Sequence, residues 1–119
     1  MPTVSVRRIP LNYKVIRRPL YALALEVGGG QGGLTALLYP QAQITNIHLD
    51  PKYADVPCHQ QEKVRFICGD ATNLPFENES FDAVTMFEVL KHIPDHQKAV
   101  SEALRVLKPK GFLLVSSPN

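Results

Sequence analysis

A carboxylate and a run of glycines stand together in Glu26-Val27-Gly28-Gly29-Gly30-Gln31-Gly32-Gly33. Glycine lets the backbone turn sharply and lets a ligand approach main-chain N–H groups with no Cβ in the way. Two readings compete for this loop, beside the plain one of a glycine-rich turn that binds nothing. Gly28, Gly30 and Gly33 satisfy G-x-G-x-x-G, the dinucleotide fingerprint, with Asp50 placed one apolar run later to hold a ribose. Glu26, Gly28, Gly30 and Gly32 instead spell acidic-x-Gly-x-Gly-x-Gly. A carboxylate repels a neighbouring pyrophosphate and attracts an ammonium group. The charge therefore favours an amino-acid-bearing nucleoside over a nicotinamide dinucleotide.

Other chemistry-bearing residues are sparser. Glu88 and His92 could act as a base if a substrate must lose a proton, although a histidine ahead of a helix start is more often plain surface. His48 falls inside an apolar run, and His59 and His96 on polar links. None has a spacing that suggests a metal, and no metal is expected. Cys58 and Cys68 form no metal-spaced pair and no disulfide framework, which fits a reducing compartment and a cytoplasmic location.

These residues need elements to position them. The chain has 119 residues, 45% of them hydrophobic and 20% charged, enough for one core and too few for two ordinary domains. No run approaches the roughly 18 apolar residues of a membrane helix. The stretch from Tyr21 to Leu25 is cut by Glu26, so a secretory signal is not expected. A net charge of +2 gives no polyanion signal, but it is unevenly spread. Arg7, Arg8, Lys14, Arg17 and Arg18 stand in an acid-free opening, and residues 19–119 hold 8 basic against 11 acidic side chains. Residues 1–20 thus read as a basic arm, whether solvated, partner-binding or a targeting peptide, and residues 21–119 as one domain.

Within that domain short apolar runs alternate with helix or turn signals. Strands are predicted at Leu23–Val27, at Ile44 to Leu49 leading into Asp50, at Val64–Cys68, at Phe81–Phe87 and at Phe112–Val115. A short helix is predicted over Leu34–Leu38. A longer one is capped by Asp95, with Val100, Ala103, Leu104 and Leu107 on one face. It is predicted to stop at Lys108-Pro109-Lys110-Gly111, where terminal cations, a proline and a glycine suited to left-handed dihedrals coincide. Residues 51–63 and 70–80 carry prolines and read as short helices or irregular loops. Strands joined by crossover-length links imply an α/β fold, a Rossmann-like parallel sheet of about five strands with flanking helices.

In order along the chain, Glu26–Gly32, Asp50, Gly69-Asp70-Ala71, Asn73-Leu74-Pro75-Phe76 with Ser80-Phe81-Asp82, Glu88–His92 and Leu107–Gly111 resemble the motifs of class I S-adenosylmethionine-dependent methyltransferases. The similarity covers about residues 22–119 and is nearest in character to the small-molecule group that includes quinone and sterol methyltransferases. It implies S-adenosyl-L-methionine as cofactor. Asp50 would then accept from both ribose hydroxyls, and Asp70 with the Ala71 amide would read the adenine edge. Gly28, Gly29, Gly30 and Gly32 would lie against the methionine moiety, with Glu26 anchoring its amino group. Phe87 would present a carbonyl to that group, and Pro51 would follow the ribose acid against adenine.

The resemblance also implies two further strands after the fifth and often a helical lid before the first. Nothing follows Asn119, so the sheet reads as truncated there and the edge Phe112–Val115 as open. Either a homodimer or a truncated chain is expected on that account. The expected partner is a small-molecule acceptor. Nucleic acid is not, since no Asn-Pro-Pro-aromatic sequence follows the fourth strand. Methyl transfer to that acceptor is the leading function. A non-catalytic S-adenosylmethionine-binding or accessory module and a nicotinamide-binding domain are the alternatives.

Overall fold

The structure, a computed structural model, describes residues 23–28, 34–87 and 89–116. The basic arm, Gly29, Gly30, Gly32 and Glu88 lie outside the described residues. Strands β1 (Leu23–Val27), β2 (Gln43–His48), β3 (Val64–Cys68), β4 (Phe81–Phe87) and β5 (Leu107–Ser116) form one sheet in the order β3-β2-β1-β4-β5. Every neighbouring pair is parallel. Helix α1 (Leu34–Leu38) follows β1, and α2 (His96–Val106) precedes β5. Two short 3-10 helices, Pro51–Asp55 and Pro57–Gln60, fill the link from β2 to β3, where two prolines exclude a longer helix. A third, Leu90–His92, follows β4.

The central strands carry near-continuous apolar runs because both faces of the sheet are covered. Leu25, Val27, Val84, Met86 and Leu113 enter one core cluster with Ala99, Ala103 and Val106 of α2. Ala24, Ile44, Ala83 and Leu114 enter the other with Ala36 of α1 and Tyr39. Strand β1 sits between β2 and β4, so the connections leaving it and arriving beside it diverge to opposite sides. That reversal opens a crevice at the carboxyl edge of the sheet.

Three expectations are corrected. The buried face of α2 is Ala99, Glu102, Ala103 and Val106, with Val100 and Leu104 only half-buried. Glu102 is acceptable inside because its carboxylate is fully engaged, as described below, and this rotates the stripe away from the purely apolar one. Second, Leu107–Gly111 is not a turn. Strand β5 begins at Leu107, paired with Phe81, and a register shift absorbs the lysines and Pro109 before Phe112 pairs with Ala83. Third, Gly111 does not adopt the left-handed conformation. It is needed for space, since a Cβ there would lie 2.9 Å from both the Asp82 carbonyl oxygen and Leu107 Cδ2.

Among the described residues no helix is long and apolar enough to cross a membrane.

Candidate cofactor site

A cavity of about 400 Å³ opens at the carboxyl ends of β1 to β4, within the size range of small-molecule sites. Gly28, His48, Asp70, Ala71, Val89 and His92 line it, with Ile47 and Leu49 adding apolar wall.

Gly28 sets the floor. Its φ of +69° is one that side-chain-bearing residues rarely adopt, and its N–H donates to the Ile47 carbonyl at 2.8 Å, tying the exit of β1 to the end of β2. A Cβ at this position would overlap Val89 Cγ2. The glycine thus allows the segment after β4 to close against the end of β1.

Glu26 lies behind that floor, 3% exposed. Its Oε2 accepts the Thr35 N–H at 3.0 Å and the Thr35 hydroxyl. The same hydroxyl lies 2.8 Å from that of Thr85, which reaches the Leu25 carbonyl. The buried carboxylate therefore ties the first turn of α1 to β1 and β4. A carboxylate buried in this way needs such donors around it.

At the exit of β2, the strand ends with His48, two residues before the acid expected to hold a ribose. His48 lines the cavity and Asp50 does not. Asp50 instead caps the following 3-10 helix, its Oδ1 accepting the Lys52 N–H at 3.0 Å, while Oδ2 pairs with Lys52 Nζ at 3.5 Å. The Lys52 amide is the main reason its carboxyl lies below the usual range. Pro51 opens that helix, exposed and off the cavity wall. His48 Nδ1 accepts the Asp50 N–H at 3.0 Å, and the ring stands edge-on to Tyr53. Burial pushes the His48 pKa down, partly offset by Asp50.

At the exit of β3, Asp70 Oδ1 accepts both the N–H and the hydroxyl of Thr72 at 2.8 Å, closing a tight Asx turn. These donors hold its carboxyl below the ordinary value. Asp70 and Ala71 both reach the cavity. Of the base candidates, His92 is exposed on the cavity rim. Phe87 packs half-buried against the second core cluster.

Gly28, Asp70, Ala71 and His92 line one cavity, whereas Asp50, Pro51, Phe87 and Glu26 are not among the described residues that line it.

Sequence reading missed three positioning features. Glu102 and Arg105 grip the 74–78 segment that follows Asp70. Glu102 Oε1 accepts the Leu74 N–H at 2.9 Å, and Arg105 donates to the Leu74 and Phe76 carbonyls at 2.9 and 2.8 Å. Opposite charges three apart on a predicted helix were the available signal. His59, read as a polar-link residue, is buried. Its Nδ1 meets the Tyr53 carbonyl and its Nε2 the Asn46 amide, both at 2.5 Å, which pins the 3-10 segment onto β2. The third is His48 itself, read as no more than a strand residue.

This arrangement fits an adenosyl donor. An apolar wall suits a flat purine, and Asp70 beside the Ala71 amide offers an acceptor and a donor for a base edge. Closure over Gly28 needs the absence of a side chain.

Known proteins agree with that chemistry. A family profile described as "Methyltransferase domain" matches residues 25–115. Phthiotriol/phenolphthiotriol dimycocerosates methyltransferase of Mycobacterium leprae is 42% identical over 96 residues, 75% of this chain and 35% of that protein. Demethylmenaquinone methyltransferase of Thermotoga maritima is 34% identical over 94 residues, 76% of this chain and 41% of that one. The crystal structure of the YcgJ protein from Bacillus subtilis superposes with a TM-score of 0.69 at 37% identity, covering 77% of this chain and 42% of that one. The chain thus spans well under half the length of these relatives. With its parallel sheet, its glycine-floored crevice and this matched span, the chain belongs to the methyltransferase domain family, of the class I S-adenosylmethionine-dependent type.

Proposed function

We propose that the chain is the donor-binding domain of an S-adenosylmethionine-dependent methyltransferase acting on an apolar small-molecule acceptor. The observation that carries this reading is the cavity of about 400 Å³ floored by Gly28 and edged by Asp70 and Ala71. The names of the two curated relatives support a quinone or lipid-like acceptor. When bound, the donor supplies an electrophilic methyl group on a sulfonium, whose S–CH3 electron pair returns to sulfur as the acceptor forms its new bond to carbon.

The protein's part is then alignment and exclusion of water; orientation alone can contribute on the order of 7–11 kcal/mol. Glu26, held by Thr35 against the exit of β1, would set negative charge near the ammonium end of the donor. Asp70 and Ala71 would meet the adenine, and the glycine loop with Gly29, Gly30 and Gly32 the methionine. His92 on the rim would take the acceptor's proton where one must leave. The outer edge of β5, unpaired among the described residues, would pair with a second copy, and the two cysteines fit a reducing, cytoplasmic setting.

Calorimetric titration with S-adenosylhomocysteine and with NAD tests the donor class. Binding of the first and not the second is expected, and the reverse would refute the reading. Release of S-adenosylhomocysteine on adding a demethylated quinone then tests catalysis. Tight donor binding with no turnover on any quinone or lipid acceptor would instead favour a non-catalytic module.

A further inference from the structure

Glu26 sets a carboxylate in the middle of the sheet, and its neighbours in register are polar too. Thr85 of β4 lies opposite it on one side and Asn46 of β2 on the other. Thr85 and Thr35 of α1 are both fully buried. A threonine hydroxyl has one proton to give. Thr35 gives its own to Glu26 Oε2, together with its N–H, so in the 2.8 Å contact between the two threonines Thr85 is the donor. The Leu25 carbonyl, 3.5 Å from the Thr85 hydroxyl, is the weaker acceptor. The hydrogen bonds therefore run one way, from Thr85 to Thr35 to Glu26. Oε1 accepts from no described residue.

The fold by itself does not call for this relay. Valine has the shape of threonine, and Ala83 and Leu114 fill the neighbouring places on the same face with apolar side chains. A buried hydroxyl costs free energy until it is hydrogen-bonded, and replacing a buried polar set by apolar residues of similar volume is often neutral. What the relay does is fix one carboxylate. The last torsion of a glutamate is soft, and two donors on a single oxygen remove that freedom. Thr85 polarises the Thr35 hydroxyl and so strengthens its bond to Oε2.

We propose that Thr85 is a positioning residue for the amino-acid end of the donor, acting through Thr35 to hold Glu26 with Oε1 left to an ammonium group. Neither threonine is among the described residues that line the cavity, so the effect of Thr85 on a ligand is routed through the carboxylate. The assignment rests on the donor-binding reading given above and deepens it. A ligand that carries the ammonium senses the Thr85 hydroxyl, and one that ends at the nucleoside sulfur does not.

The test is calorimetric titration of the full chain with S-adenosylhomocysteine, which carries the ammonium, and with methylthioadenosine, which keeps the nucleoside and its sulfur but lacks the amino acid. Thr85→Val keeps the shape and loses the hydroxyl. Affinity for S-adenosylhomocysteine should fall about fivefold, the scale of one net hydrogen bond, while that for methylthioadenosine stays within about twofold. Thr85→Ser keeps the hydroxyl and should recover most of the loss. Thr35→Ala keeps the N–H donor, loses the hydroxyl and should show the same split, which covers the case where a β4 variant does not fold. In a Glu26→Gln background, Thr85→Val should cost no further affinity, because the group it acts through is already altered. Equal losses for the two ligands, unchanged S-adenosylhomocysteine affinity in Thr85→Val, a serine variant no better than the valine one, or additive losses with Glu26→Gln would each overturn the assignment while the donor-binding reading stands. An unaltered chain that binds neither ligand would overturn both.

Discussion

Arg105 closes on Glu102 one turn back along α2, Nε to Oε2 at 2.6 Å, while its other nitrogens reach over to the 74–78 segment. Two charged side chains of one helix thereby hold the loop that leads away from Asp70 and Ala71. The donor cavity has its β3 wall positioned from α2, on the far side of the chain in sequence.

Replacing Arg105 by leucine should destabilise the fold by about 2 kcal/mol. Breaking a buried pair costs about 3–5 kcal/mol, but the Arg105 side chain is 31% exposed and solvent screens part of that. Urea denaturation of Arg105→Leu, Glu102→Leu and the double variant measures it. The double variant should lose less than the two singles added together, because neither charge is left alone. Simple additivity would show that the two residues do not act as a unit.

Glu102 also predicts the acid behaviour. The Arg105 hydrogen bond is the largest cause holding its carboxyl below the ordinary value. A depressed folded-state pKa contributes stability that is complete above the unfolded value, about 4.3, and disappears as pH falls through the folded one. Melting temperature should therefore drop between about pH 5 and pH 3. In Glu102→Gln the melting point should start lower at pH 7 and the drop should be shallower. A drop of unchanged depth would assign it to Asp50 and Asp70, whose carboxyls are lowered too.

Gly28→Ala combines two penalties, a left-handed backbone of about 1–2 kcal/mol and an overlap with Val89. The loss in a urea melt should exceed about 2 kcal/mol. Val89→Ala alone carries its own cost as a truncated core residue. Measured against it, the Gly28→Ala penalty should lose most of its steric part and keep the backbone part, since of the Val89 contacts only Cβ at 3.0 Å remains. Full recovery would mean that the +69° conformation carries no strain of its own, and no recovery would mean that Val89 is not the obstruction.

Much of this protein was legible along its sequence because the information is local. Phe81–Phe87 is a strand with the expected limits, since a run buried on both faces announces itself by its apolar content, and Val64–Cys68 also has its expected limits, although of this edge strand only Val64 is buried. Asp95 caps α2 as its side chain dictates, accepting the Lys98 amide at 3.0 Å. The glycine run after Glu26 marked the exit of β1, and Gly28 does adopt a conformation that asks for glycine.

What only the folded chain decided concerns partners distant in sequence. Glu102 reads as a surface residue until Arg105 and the Leu74 amide surround it, and that pairing turned the helix face by which α2 packs. Lys108-Pro109-Lys110-Gly111 carries every local mark of a helix end, yet pairing of β5 with β4 draws it into a strand. At the exit of β2, residue type marked Asp50, and only the folded chain placed His48 on the cavity wall. Local propensity registers what a side chain can do alone. Which side chains line a cavity depends on where the strand stops and on what the next turn already holds.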